Sequence, residues 1–298
     1  MPDVMPDPPM NDQPTHKNEE TNRLSPAAEI ADFSAPERES IERRSRPSAA
    51  LIHETIRVEG LSELDRPVAS LLLSGLAAGL SMGFSLLSES LLRGRLPEAH
   101  WAELVSRLGY AVGFLIVVLG RQQLFTENTL TPVLPLLHER KARILGGLMR
   151  LWGLVLTANI VGAGCIALAL ASSGILDASS ASAAQAIAHE AFSHSPPQLL
   201  VRGIFAGWLI ALMVWLLPSA EGSRPAIILM VTYIVALGGF SHVIAGSVDV
   251  LYLHFLGEVS WMDYALRFLL PTLAGNVAGG VTLVAALNYG QVASEIEA

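Results

Sequence analysis

Two stretches of the chain set polar and ionisable residues among apolar ones. The first, GRQQLFTENTLTP at 120–132, carries Arg121, Thr126 and Glu127 beside Leu124 and Phe125. The second, GGFSHVIAGSVDVLYL at 238–253, carries His242 and, seven residues later, Asp249. Seven residues make about two helical turns, so these two groups share nearly one helix face. A lone His on an apolar face is often a structural residue with satisfied hydrogen bonds. Here the adjoining Gly238, Gly239, Ser241, Gly246 and Asp249 shift the balance towards a functional role, because small residues let backbones approach closely. For Arg121, Glu127 and Asp249, a structural network is favoured over substrate contact, since charges buried in membranes usually pair. Glu127 is expected to brace its segment by pairing with Arg121 or by accepting backbone N–H groups.

The surroundings of these residues are those of a membrane protein. Of the 298 residues, 51% are hydrophobic and only 15% charged, against about 25% in soluble domains, and mean hydropathy is +0.46. Residues 1–66 hold 8 of the 19 Lys+Arg and 14 of the 27 Asp+Glu, so the net charge of −8 reports mainly on that tail and on loops. Nothing here suggests nucleic-acid binding. Uncharged runs cover 67–88, 151–176, 203–220, 225–248 (with His242 inside) and 268–294, each near the roughly 20 residues that span a bilayer. A sixth span, about 104–138, is apolar at both ends and interrupted by the first polar stretch. HERKAR at 138–143 and Arg224 mark the cytoplasmic side, while 173–201 has no Lys or Arg. Counting basic loops therefore puts both termini in the cytoplasm, although Arg93, Arg95 and Arg107 fall on the opposite side.

The expected organisation is a cytoplasmic tail over 1–65, a transmembrane domain over 66–290 and a short cytoplasmic C-terminus over 291–298. No signal-peptide core opens the chain. Residues 1–33 read as disordered, Ser34 to Glu37 has the spacing of a helix-opening box, and 49–58 forms a modest amphipathic stripe, set either against the protein or membrane surface or in solvent. The single cysteine, Cys165, rules out a disulfide framework or Cys-based metal site within the chain and reads as a small buried apolar residue. No metal or other cofactor is expected.

The chain also repeats itself. Asn159-Ile-Val-Gly162 in the third span and Asn276-Val-Ala-Gly279 in the sixth lie 117 residues apart. Phe125-Thr126 and Phe240-Ser241 lie 115 apart. Three spans followed by three more make the second half inverted in the membrane, with helices 2 and 5 broken. Non-helical backbone at that depth needs protein or a water-filled cavity around it.

LFTENTLTP in a broken second span, NxxG in spans three and six, and FSHVIAG in span five resemble the formate/nitrite transporter family over roughly residues 66–290. The resemblance implies an aquaporin-like bundle of six transmembrane helices, assembled as a homopentamer in a bacterial inner membrane with a pore in every protomer. The cargo it implies is small monovalent anions or their acids, such as formate, nitrite, hydrosulfide and short carboxylates. It assigns Phe125, with Leu124 before it, to a constriction and Thr126 to a gating hydroxyl. It assigns His242 to the pore centre, Arg143 to the cytoplasmic mouth and Asn159 to the third span, with Asn276 as its repeat. Gly246 stands where many members have Asn, and Gln122, Gln123 and Glu127 also depart from the pattern. Apolar constrictions around a central His favour the neutral acid, or an anion that gains a proton or hydrogen bond there, since a bare anion is costly to desolvate. A neutral-solute pore is the first alternative, but no Asn-Pro-Ala pair occurs. A membrane-embedded enzyme, sensor or partner-binding protein is the second, but no HExxH or GxSxG occurs.

Overall fold

The computed structural model describes residues 33–44 and 47–296. The expected disorder of 1–33 lies, except for Phe33, outside the described residues. The chain divides into two compact units between Arg46 and Pro47. In the first, helix α1 (Ala35–Arg44) is opened by Ser34, whose N–H and Oγ both donate to Glu37 Oε2, at 3.0 and 2.6 Å.

The second unit is all helical. Helix α2 (Ala49–Leu64) is capped by Ser48, whose Oγ accepts from Leu51 N at 3.2 Å. Of the expected amphipathic stripe, Ile56 is buried, Ile52 half-buried and Leu51 exposed. A Cβ on Gly60 would overlap the Thr131 carbonyl, so α2 lies directly on the second half of the first polar stretch. The helix assigned to the tail is thus part of the compact body that holds the spans.

Helix α3 (Val68–Arg93) and helix α4 (His100–Leu119) follow, the latter with a 3-10 stretch at Arg107–Tyr110. A short helix α5 (Val133–Glu139) comes after the interruption, then α6 (Ala142–Ser172), α7 (Ala178–Phe192) and α8 (Pro196–Ser219). Two short apolar helices, α9 (Arg224–Leu237) and α10 (Val243–Phe255), precede the long α11 (Trp261–Val292). Helices α3, α4, α6, α8 and α11 are each long and apolar enough to cross a membrane. The uncharged run at 225–248 is divided between α9 and α10, with residues 238–242 between them. Many large apolar side chains point outward, including Leu73, Met149, Val161 and Leu266. Cys165, expected to be buried, is exposed on the same outer surface.

Glycine sets the closest packing. A Cβ on Gly79 would overlap the Asn159 carbonyl, and one on Gly207 the Asn276 carbonyl; Gly162 and Gly279 meet the facing helices in the same way. Helices α3 and α6 therefore cross as α8 and α11 do, the close approach that small residues give membrane helices.

His53 of α2 sits fully buried near the rings of Trp215 and Tyr289, at 6.4 and 5.7 Å between centroids, with neither ring nitrogen hydrogen-bonded. Burial holds this imidazole below its ordinary 6.5, outweighing the nearby Glu54. A base whose folded value is depressed contributes its full stability above 6.5 and loses it as the pH falls from there through the folded value. Docking of α2 should therefore weaken as the pH drops below 6.5, seen as faster amide hydrogen exchange in α2, and His53→Phe should remove that acid sensitivity.

Candidate functional site

Helices α4 and α9 end alike. Gly120 is followed by Arg121 at φ 51°, and Gly238 by Gly239 at φ 58°. Gln122 N donates to Val117 O and Phe240 N to Val235 O, each at 3.0 Å. These are the six-to-one bonds of a left-handed helix stop. Glycine takes that conformation freely, whereas Arg121 adopts it at a steric cost.

Beyond each stop the backbone runs non-helical through the protein interior, and one asparagine satisfies it. Asn159 Oδ1 accepts from Phe125 N at 2.9 Å, and its Nδ2 donates to Gln123 O and Gly75 O, both at 2.8 Å. Asn276 Oδ1 accepts from Val243 N at 2.8 Å, and its Nδ2 donates to Ser241 O and Gly203 O, both at 2.9 Å. The two asparagines are wholly buried and do the same work in each half. This fixes the register of the repeat, and it corrects the sequence alignment. Phe125 corresponds to Val243, 118 residues on, and Phe240 corresponds to Gln122; the Phe125-Thr126 and Phe240-Ser241 match is three residues out of step.

The two interruptions meet at Thr126 and His242, both buried, with Thr126 Oγ1 and His242 Nε2 2.7 Å apart. His242 also caps α10. Its Nδ1 accepts from Ile244 N and Ala245 N at 3.3 and 3.2 Å. A nitrogen that accepts carries no hydrogen, so the proton sits on Nε2 and is donated to Thr126 Oγ1. The ring of Phe114 lies edge-on to the imidazole at 4.9 Å, and Trp152 packs on Phe125 at 5.7 Å.

A cavity lies on each side of this contact. The first, about 240 Å³, is lined by Glu59 and Glu63 of α2 with Gln123, Glu127, Asn128 and Arg224. The second, about 350 Å³, is lined by Glu89, Arg107, Glu190, Arg202, Asp249 and His242. Gln123 and Glu127 line the first cavity and His242 the second, so the buried Thr126–His242 contact lies between the two, with Leu124 and Phe125 buried next to Thr126 in the chain.

Of the residues singled out in the sequence, Leu124, Phe125, Thr126, Asn159, His242 and Asn276 come together here. Asp249 shares the second cavity with His242. Arg143 stands apart, exposed in the first turn of α6 with no hydrogen bond or ion pair among the described residues. The expected Arg121–Glu127 pair does not form. Arg121 is drawn to Glu59 of α2 at 3.2 Å, while Glu127 faces the first cavity. The bracing comes from Gln123, which donates to Glu63 at 2.7 Å and accepts from Asn128 at 3.0 Å. Where relatives were expected to carry Asn, Gly246 is covered by the Phe268 ring. The sequence reading missed the second cavity's ion network, in which Arg107 joins Glu89 at 3.0 Å and Glu190 at 2.7 Å. Its one signal was that Arg107 broke the positive-inside pattern.

Two cavities lined by charged residues, with the buried Thr126–His242 contact between them and a bundle of helices long and apolar enough to cross a membrane around them, define a membrane transport protein. A family model described as formate/nitrite transporter matches residues 50–290. The chain is 41% identical over 251 residues to the inner membrane protein YfdC of Escherichia coli, covering 84% of this chain and 81% of that one. It is 28% identical over 239 residues to the formate channel BtFdhC of Bacillus thuringiensis, covering 78% and 91%. Two solved structures share the fold at 18% identity: a pentameric formate channel with formate bound, at a TM-score of 0.64 over 76% of this chain and 98% of that one, and an FNT family ion channel, at 0.71 over 80% and 98%. The chain belongs to the formate/nitrite transporter family, whose members are transporters and channels rather than enzymes.

Removing either asparagine strands one buried N–H and two carbonyls, at about 1–3 kcal/mol for each group left unpaired. Asn159→Ala and Asn276→Ala should each lower the unfolding temperature of the purified protein in detergent by a similar amount, far more than Asn288→Ala.

Proposed function

We propose that this chain moves small monovalent anions as their neutral acids, formate first among them, through a passage from one cavity to the other past Thr126 and His242. The observation that carries this reading is the Thr126–His242 hydrogen bond, which ties the two interrupted segments together between the two cavities. An ion crossing there would have to shed its water beside Leu124 and Phe125, at a cost of many kcal/mol; the neutral acid crosses at a small fraction of that. The imidazole Nε2–H then offers a passing acid or anion the hydrogen bond that it gives Thr126 at rest. Leu124 and Phe125 are the constriction, Thr126 the hydroxyl that yields to cargo, and Arg143 a cation near the mouth that draws anions in.

In this reading α4 with α5, and α9 with α10, each make one interrupted crossing. Three crossings per half then invert the second half, with both termini in the cytoplasm of a bacterium and the protein in its inner membrane. A pentamer with one passage per subunit belongs to this reading, supported by the likeness to a solved pentameric formate channel. Residues 1–65 act as the cytoplasmic tail, of which α2 closes one side of the first cavity. Nitrite, hydrosulfide and short carboxylates such as acetate and lactate fit the same chemistry, a single charge removable by one proton. Glu59, Glu63 and Glu127 around the first cavity disfavour the bare anion on that side.

Proteoliposomes loaded with a formate, nitrite, acetate, lactate and hydrosulfide panel at two pH values test the proposal. Formate should cross well above the rate in empty vesicles, and faster at the lower pH. His242→Ala should slow it by about a hundredfold, as loss of a well-placed polar group at a functional centre does. Wild-type rates and pH dependence in that variant would refute the role given to His242, and no flux of any substrate would refute transport.

A further inference from the structure

Nearly every charge around the second cavity has a fixed counter-charge. Glu89 of α3, 1% exposed, pairs with Arg107 of α4; Arg107 also pairs with Glu103 at 3.2 Å and with Glu190 of α7; and Arg93 pairs with Glu190 at 2.8 Å. Arg202 of α8 is held by the carbonyls of Gly238 and Gly239 at 3.2 and 2.8 Å. Arg202 thus lacks a counter-charge but is held by hydrogen bonds, whereas Asp249 is held by neither. It is 9% exposed, lines the cavity, and makes no hydrogen bond or ion pair among the described residues. The charged and titratable groups that line the same cavity are Glu89 from α3, Arg107 and Tyr110 from α4, Glu190 from α7, His194 after it and Arg202 from α8, while Tyr264 of α11 donates its hydroxyl to Ser247 of α10 at 2.9 Å. The charged side chains of α6, Arg143 and Arg150, lie in its first three turns, where Arg150 holds the carbonyls of Leu64 and Arg66, and its one thiol, Cys165, is exposed.

His242 is poorly arranged to supply a proton. Its Nδ1 is taken up as the acceptor that caps α10, and its Nε2–H points at Thr126. Asp249 stands two turns further along α10, open to the same cavity, and can gain or lose a proton without breaking any contact.

We propose that Asp249 is the proton-exchange group of the passage, acting on a monovalent oxyanion that enters from the second cavity. This rests on the transport reading above. The Asp249 O–H bond breaks and its proton passes, directly or through cavity water, to an oxygen of the anion, where a new O–H bond forms. The neutral acid moves on past His242. The carboxylate left behind takes a proton from a hydronium ion of the aqueous phase, so one proton crosses with each anion. The reverse path returns the proton to Asp249 as the acid leaves. The ion-paired Glu89 and Glu190 hold the cavity's shape and charge, while Asp249 cycles.

The test is formate uptake into proteoliposomes from pH 5 to 8, with internal acidification followed at once by a trapped dye. Without an exchange group, uptake depends on free acid already in solution, which becomes about tenfold scarcer per pH unit above the acid's own pKa. Wild type should show a shallower decline. Asp249→Asn, which keeps the shape, should fall by the full tenfold per unit and run about a hundredfold slower than wild type at neutral pH, the lower range for a positioned acid group. Asp249→Glu should restore most of the shallow profile. A matching detergent melting temperature and oligomer size will show that Asp249→Asn is folded. Wild-type flux with an unchanged profile in a folded Asp249→Asn would overturn this inference and leave the transport reading standing. A slower Asp249→Asn that keeps the shallow profile would also overturn it, since that marks a structural role. No flux in wild type would overturn both.

Discussion

The structure depends on how helices α4 and α9 can stop inside the protein. Stopping α4 and α9 in mid-bundle frees N–H and carbonyl groups that neither water nor lipid can satisfy. One asparagine side chain presents an acceptor and two donors on a single rigid amide, and here every one of them is used. Asn159 holds the N–H of Phe125 and the carbonyl of Gln123, and its remaining donor locks onto Gly75 of the facing helix. The bond to Gly75 makes the crossing of α3 and α6 and the course of the interrupted segment one event, and Asn276 does the same for α8, α11 and the second segment. The glycines follow from this, since an amide can reach a neighbouring backbone carbonyl only where the helices nearly touch.

The same constraint explains the dual part played by His242. The second segment ends by starting α10, and a helix start exposes N–H groups that need an acceptor. Ser, Thr, Asp or Asn usually provides it. Here imidazole Nδ1 provides it, so the ring is pinned at one nitrogen and aimed with the other. A histidine without the Nδ1 contacts could turn its donor away from Thr126. In the other half Leu124 occupies the equivalent place, and the first interruption is braced instead by Gln123, Asn128 and Glu63 of α2. Two halves with one backbone plan thus differ in what their central side chains can do.

Much of this was legible in the sequence, for identifiable reasons. Uncharged runs of bilayer length marked the spans, and the NxxG elements marked the repeat because both its Asn and its Gly are required by backbone contacts. The centre of the site was legible because polar residues in apolar runs are costly and therefore informative. What misled was side-chain likeness. Phe125-Thr126 resembles Phe240-Ser241, yet the repeat preserves backbone roles, and at those roles QQLF faces FSHV with no identity at all. The Arg121–Glu127 pairing failed for a related reason. Nearness in the chain suggested it, but Arg121 sits in a left-handed stop that points it toward Glu59 of α2, a partner 62 residues away that no local pattern reveals.

The ion network of the second cavity was invisible for a deeper reason. Glu89, Arg107 and Glu190 come from three different helices, and each looks alone like a charge near the end of a span. Only packing brings them together. Once it does, they define what is left over. A cavity wall in which each other carboxylate is tied to an arginine is rigid, and a rigid frame fixes the position of any group within it that stays untied. Asp249 is that group, on the helix whose first turn His242 caps. One short helix thus carries a hydrogen-bond donor held still by its own N-terminus and, two turns along, a carboxyl with no hydrogen bond or ion pair among the described residues. Neutralising an anion and guiding the resulting acid make opposite demands on a side chain, mobility of the proton in one case and fixity of the donor in the other. Separating the two along α10 lets one wall meet both.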